Sequence, residues 1–249
     1  MLIMSIATPQ ALVRGIQKRD LSVLAEAVSI LEDNLFLKSK LLKCLHVLSR
    51  HARGCIIGVT GSPGSGKSTL ITALAKTMRR NKKKIAIIAV DPTSPKSGGA
   101  FLGDRIRMQE LAEDSGIFIR SMASRGAHRG VAKSTKDVAC LFLVAGYDYV
   151  LIETVGAGQL DYGVTKIADL TFLVLTPEGG DEMQFMKAGL RELADVFVVN
   201  KADRPGAQRM EDFLKRSDVE APVFKTIAEQ GKGVTPLYEF ILRWSREKK

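Results

Sequence analysis

Eight consecutive residues constrain this chain more than any others: Gly61-Ser62-Pro63-Gly64-Ser65-Gly66-Lys67-Ser68. They match the pattern G-x-x-x-x-G-K-S/T, follow the apolar run 56–60 and precede a segment of helical periodicity. Glycines let such a loop curl until successive backbone N–H groups converge on phosphate oxygens, and the helix behind it adds its positive end. Lys67 is then placed to reach the outer phosphates of a nucleotide and the Ser68 hydroxyl to bind Mg²⁺, with Thr69 next in the chain. A loop of this kind requires a strand before it and a helix after it, so an α/β fold is expected.

The rest of the chain carries the same alternation. Short β-branched runs at 55–60, 85–90, 117–122, 149–155, 171–176, 196–200 and 223–227 are separated by helical patterns at 67–80, 103–113, 131–145, 183–192 and 207–216, and a last helix begins near Pro236. The expectation is an α/β protein whose mostly parallel sheet has helices on both faces. Segment 11–50 has a different texture. Leu21, Leu24, Ala25, Val28 and Leu31 recur at helical spacing without an intervening strand, which suggests two helices packed on the main domain. The division is a helical segment, 1–52, followed by a P-loop domain, 53–249, with no further folding unit.

Asn200-Lys201-Ala202-Asp203 closes the run 196–200 at the sheet edge where α/β proteins bind ligands. Alone, N-K-x-D is a commonplace polar strand end. Downstream of a phosphate loop it points to a base, because the Asp203 carboxylate can accept from both N1–H and the 2-amino group of guanine. Adenine lacks those donors and turns an acceptor toward the carboxylate, so the expected ligands are GTP and GDP. Glu153-Thr154-Val155-Gly156 ends the run 149–155, where Glu153 can hold Mg²⁺ and the Gly156 N–H can sense the γ-phosphate, although a glycine there is also simply a turn. Asp91-Pro92-Thr93 closes the second strand, and the glycine-rich stretch 98–103 leads to Asp104. Asp91 and Asp104 are candidate carboxylates of the Mg²⁺ site, Asp104 being equally a candidate helix N-cap.

Composition narrows the function. With 45% hydrophobic and 26% charged residues, the 249-residue chain is that of an ordinary globular protein. It has no run near the roughly 20 apolar residues that a membrane span needs, and residues 1–7 show no basic leader, so the cytoplasm is the expected compartment and no membrane the expected partner. Cys44, Cys55 and Cys140 sit in apolar surroundings without metal-ligand spacing and suggest small core residues. His46, His51 and His128 are scattered, which weighs against metal delivery. The net charge is +10, yet only 6% of residues are aromatic and the basic run at 79–84 falls at a helix C-terminus, where cations are favoured. A nucleic-acid partner is therefore not expected.

Taken in order, TGSPGSGKST, AVDPTSPKSGGAFLGDRIRM, SRGAHRGVA, ETVGAGQ, PEGGDEMQ and NKAD resemble the MeaB/ArgK family of SIMIBI-class GTPases over nearly the whole chain, about 12–242. The resemblance implies a GTP-gated chaperone of an adenosylcobalamin-dependent acyl-CoA mutase such as methylmalonyl-CoA mutase, helping to load intact cofactor and eject damaged cofactor. By that resemblance 61–69 is the phosphate loop, Asp91, Asp104 and Glu153 take Mg²⁺-site and switch positions, and 178–184 couples nucleotide state to the mutase. Two departures stand out. Members carry a longer C-terminal extension that mediates dimerisation, whereas this chain ends soon after Trp244, leaving a homodimer an open alternative. The base-contacting loop that often reads Ser-Ala is Ile227-Ala228 here, so a backbone contact from Ala228 to guanine O6 is what carries over.

The expected chemistry is slow in-line hydrolysis, with Lys67 and Mg²⁺ neutralising developing charge, Glu153 at the metal and Gln159 orienting the water. Arg105, Arg125 and Arg129 are possible helpers. The alternatives are a metallochaperone GTPase of the same class and a binding module that GTP merely orders.

Overall fold

The computed structural model describes residues 9–33, 35–91, 108–123, 133–154, 163–178, 194–216 and 220–248. Seven strands form one parallel sheet: β1 (Cys55–Gly61), β2 (Ile85–Asp91), β3 (Ile117–Ala123), β4 (Tyr149–Thr154), β5 (Leu170–Leu175), β6 (Val196–Val199) and β7 (Val223–Lys225), in the order β3-β2-β4-β1-β5-β6-β7. Every run expected to be a strand is one. Parallel strands covered on both faces read as continuous apolar runs, and β1, β4 and β5 are buried at every position.

Alternate residues of these strands feed two cores. Ile57, Val59, Ile85, Ile87, Tyr149 and Leu151 point to one face, where helices α4 (Lys67–Arg80) and α8 (Val234–Glu247) supply Leu70, Leu74, Leu237 and Ile241. Ile56, Ala86, Ile88, Val150 and Ile152 point to the other, against α6 (Lys133–Val144) and the N-terminal helices. A smaller cluster joins Leu173, Leu175, Phe197 and Val199 to Met210 and Leu214 of α7 (Ala207–Arg216). Helix α5 is a single turn (Gln109–Ala112). It covers the end of the pattern expected at 103–113; positions 103–107 and the pattern expected at 183–192 lie outside the described residues.

The N-terminal segment holds three helices rather than two: α1 (Pro9–Lys18), α2 (Leu21–Asp33) and α3 (Leu35–Ser49). Arg19 takes a left-handed φ of 59°, and the Asp20 carboxylate accepts from the backbone N–H of Ser22 at 2.9 Å and of Val23 at 3.2 Å, starting a new helix where the apolar spacing alone runs on. Ile16, Leu24, Val28, Leu31 and Leu45 are buried in the same cluster as α6 and the sheet. Lys38 pairs with Asp137 of α6 at 2.9 Å, and Glu32 of α2 pairs with Arg120 of β3. Of the three cysteines, Cys55 is buried, while Cys44 and Cys140 are only partly so. Among the described residues no helix is long and apolar enough to cross a membrane.

Candidate nucleotide-binding site

The phosphate loop joins β1 to α4 and is tightly confined. Gly61 has φ 147°, and a Cβ there would lie 2.3 Å from the Val174 carbonyl oxygen of β5. Gly66 has φ 90°, and a Cβ there would lie 2.3 Å from Asn200 Nδ2. Both glycines are required by left-handed backbone and by neighbours that leave no room for a side chain. Lys67 is 7% exposed, and its Nζ donates to the carbonyl oxygens of Gly61 and Ser62, each at 2.9 Å. The ammonium is thereby held across the opening of the loop.

The Ser68 hydroxyl donates to Glu153 Oε1 at 2.6 Å, the short length of a charge-assisted bond. Glu153 lies near the C-terminal end of β4, in register with Val59 of β1 and Ala89 of β2, and is 4% exposed. An alcohol and a carboxylate are hard oxygen donors, the set that Mg²⁺ accepts, so the residues present fit that ion.

Asn200 links the phosphate loop to the base side. Its Nδ2 donates to the Ser65 carbonyl at 2.9 Å, while its Oδ1 accepts from Thr226 Oγ1 at 3.0 Å and from the Ala228 N–H at 3.1 Å. All three bonds are buried, and Asn200 is 2% exposed. Its backbone N–H donates to Leu175 of β5 at 2.8 Å, and Lys201 then turns through a left-handed φ of 55°. Such a conformation in a residue other than glycine costs energy that the surrounding hydrogen bonds must offset, and it often marks a ligand site. Asp203 follows on the exposed turn into α7. Next to it, Arg204 Nη1 sits 2.6 Å from both carboxylate oxygens of Glu178, which lies just past β5. The pairing holds the Glu178 carboxyl below its ordinary range and raises the Arg204 guanidinium.

Gly61 to Ser68, Glu153, Asn200 and Ala228 are thus drawn together through these contacts at the C-terminal ends of β1, β4 and β6 and the loop after β7, with Asp203 three residues past the Asn200 brace. The backbone of Asp91 ends β2 beside Ala123 of β3. Asp104, Gly156, Gln159, Arg105, Arg125 and Arg129 lie outside the described residues. Thr226 is an addition that motif reading missed, and Glu178, the first residue of 178–184, has Arg204 as its partner. Thr226 stands two positions before Ala228, at the end of an apolar run, which is the only sequence hint of its role.

Residues 24–249 match the family described as methylmalonyl-CoA mutase-associated GTPase MeaB. The chain belongs to the MeaB family. Among its relatives, a protein of Pyrococcus horikoshii named "Putative GTPase" is 42% identical over 92% of this chain and 75% of its own length. The methylmalonic aciduria type A homolog of Mus musculus, a mitochondrial protein, is 34% identical over 90% of this chain and 60% of its own length. Among solved structures, one described as LAO/AO transport system kinase superposes with a TM-score of 0.71 at 25% identity, covering 98% of this chain and 77% of the other. HypB from Helicobacter pylori, solved in complex with nickel, superposes with a TM-score of 0.61 at 18% identity over 82% of this chain and 96% of its own, a likeness of fold alone. These matches agree with the α/β, P-loop architecture and with guanine-nucleotide binding as the family's property.

Proposed function

We propose that this MeaB-family chain binds GTP with Mg²⁺, hydrolyses it to GDP and phosphate, and through its nucleotide state assists an adenosylcobalamin-dependent acyl-CoA mutase of the methylmalonyl-CoA mutase type. The observation that carries the nucleotide part is the Asn200 brace, which ties the phosphate loop at Ser65 to the loop at Thr226 and Ala228 and sets Asp203 three residues beyond. The family description and the mouse relative support the mutase part. We also propose 1–52 as a helical segment preceding a P-loop domain, 53–249, and the cytoplasm as the compartment.

In this reading the curled backbone of 61–66 and the start of α4 receive the phosphates. Lys67 meets the β- and γ-phosphate oxygens from its place over the Gly61 and Ser62 carbonyls. Ser68 and Glu153, with Asp91 and Asp104, would hold Mg²⁺, which would supply positive charge to neutralise the phosphates. Water adds to the γ-phosphorus as the bridging bond to GDP breaks; Gln159 is the proposed orienting residue, and the Gly156 N–H the proposed γ-phosphate sensor. On the base, Asp203 accepts two hydrogen bonds. The Ala228 N–H already donates to Asn200, so its contact to guanine O6 would be one arm of a three-centre bond.

Single-turnover hydrolysis of GTP, measured with and without an acyl-CoA mutase and paired with competition binding against ATP, tests the reading. Preference for GTP, slow intrinsic turnover and mutase affinity that differs between GTP and GDP are expected. Equal binding of ATP would overturn the base assignment, and mutase affinity indifferent to nucleotide would overturn the chaperone role.

A further inference from the structure

Arg204 grips Glu178 directly, and the Asp203 carboxylate is its neighbour in sequence on the same exposed turn. The backbone of Arg204 is held in a turn: the Arg204 N–H donates to the Lys201 carbonyl at 3.0 Å, Lys201 takes φ 55°, and a Cβ on Gly206, at φ 94°, would lie 3.6 Å from Pro177 Cβ. The exposed side chain can change partners. The present partner is weakly held, because the Arg204 and Glu178 side chains are 43% and 59% exposed and water screens a pair that open.

The alternative partner is the carboxylate proposed to read the base. We propose that Arg204 is a two-position switch of guanine affinity: paired with Glu178 it leaves Asp203 to accept the base's two N–H donors, and released from Glu178 it pairs with Asp203 and competes with guanine. This rests on the reading of Asp203 as the guanine acceptor and deepens it, because it supplies a route from a partner to nucleotide release. Glu178 heads the segment that the family resemblance links to the mutase. A partner that presents a basic side chain to Glu178 would draw it from Arg204, lower the affinity for GTP and GDP together, and speed exchange.

The test is a cycle of Glu178→Ala, Arg204→Ala and the double variant in the full chain, with GTP and GDP affinities measured by competition against a fluorescent guanine nucleotide and ATP as the control. Glu178→Ala should weaken both guanine nucleotides about three- to fivefold at low salt, the scale of one exposed ion pair, and the defect should shrink as salt is raised. Arg204→Ala should retain wild-type affinity, and the double variant should recover it. A pair that serves only to brace the loop predicts the opposite pattern, with all three variants weakened alike. The proposal is overturned if Arg204→Ala is as weak as Glu178→Ala, if the double variant fails to recover, or if Glu178→Ala is unchanged. Failure of the underlying reading shows separately, as a wild-type protein that does not prefer GTP to ATP.

Discussion

The two ends of the nucleotide site are held by different means. At the phosphate end Lys67, Ser68, Glu153 and Asn200 are all nearly inaccessible to water, and their bonds run to backbone carbonyls and to each other. At the base end Asp203 is exposed, and the neighbouring ion pair, Arg204 with Glu178, lies at the surface. Buried bonds have no competing water and low local dielectric, so the phosphate end is organised before any ligand arrives. The base end relies on the Asn200 stem below it and on the ligand itself. Under the proposed function, a buried phosphate end and a base end open to water would suit a protein that both holds and exchanges a nucleotide.

Breaking the phosphate end should have the largest effect. Lys67→Ala removes the cation at the outer phosphates, and turnover should fall on the order of a thousandfold in single-turnover assays. Normal turnover in that variant would mean that the loop does not act on the nucleotide. Next in size, Asn200→Ala severs the two ends: it strands the Thr226 hydroxyl, the Ala228 N–H and the Ser65 carbonyl, at a cost of about 3 kcal/mol for buried polar groups left unpaired. Both guanine-nucleotide affinity and the unfolding midpoint should drop. A variant with unchanged affinity would show that the ends are independent.

The base end sharpens the contrast. Asp203→Asn should weaken GTP by about 2 kcal/mol, close to thirtyfold, and shift relative preference toward xanthosine triphosphate, whose 2-carbonyl suits the new amide donor. An unchanged ratio of the two affinities would reduce NKAD to a strand end. The smallest effect concerns support behind the base loop. Glu211 of α7 bonds Lys215 and, at 2.7 Å, Lys225 of β7, and these pairings lower its pKa from 4.5. Glu211→Gln should cost about 1 kcal/mol at neutral pH. A lowered carboxylate stabilises the fold above its ordinary value and ceases to do so as pH falls through the depressed one, so the difference in melting temperature between wild type and variant should vanish in strong acid. A difference independent of pH would assign Glu211 a packing role instead.

The strands were legible because the physics behind them is local. Apolar runs bounded by turn residues are what a doubly covered parallel strand needs, and all seven expected strands appear, the edge strands β3 and β7 being only partly buried. The helices Lys67–Arg80 and Ala207–Arg216 also coincide with their patterns. The N-terminal segment was less legible, because periodicity reports which face of a helix is buried and not where one helix stops. That was settled by Asp20 turning back onto Ser22 and Val23.

Sequence alone determined the fold class and carries the proposal for the chemistry of single motifs. The order G-x-x-x-x-G-K-S at the end of one strand and N-K-x-D at the end of another is the basis for proposing a phosphate cradle and a base acceptor, since each would act through residues a few positions apart. The tertiary structure decided how those motifs are joined. Asn200 reaches Ser65 across 135 positions, Ser68 reaches Glu153 across 85, and Arg204 reaches Glu178 across 26. Separations of this kind leave no trace in local periodicity. They are set by the strand order β3-β2-β4-β1-β5-β6-β7, which brings the C-terminal ends of β1, β4 and β6 to one edge, and only there can the side chains find their partners.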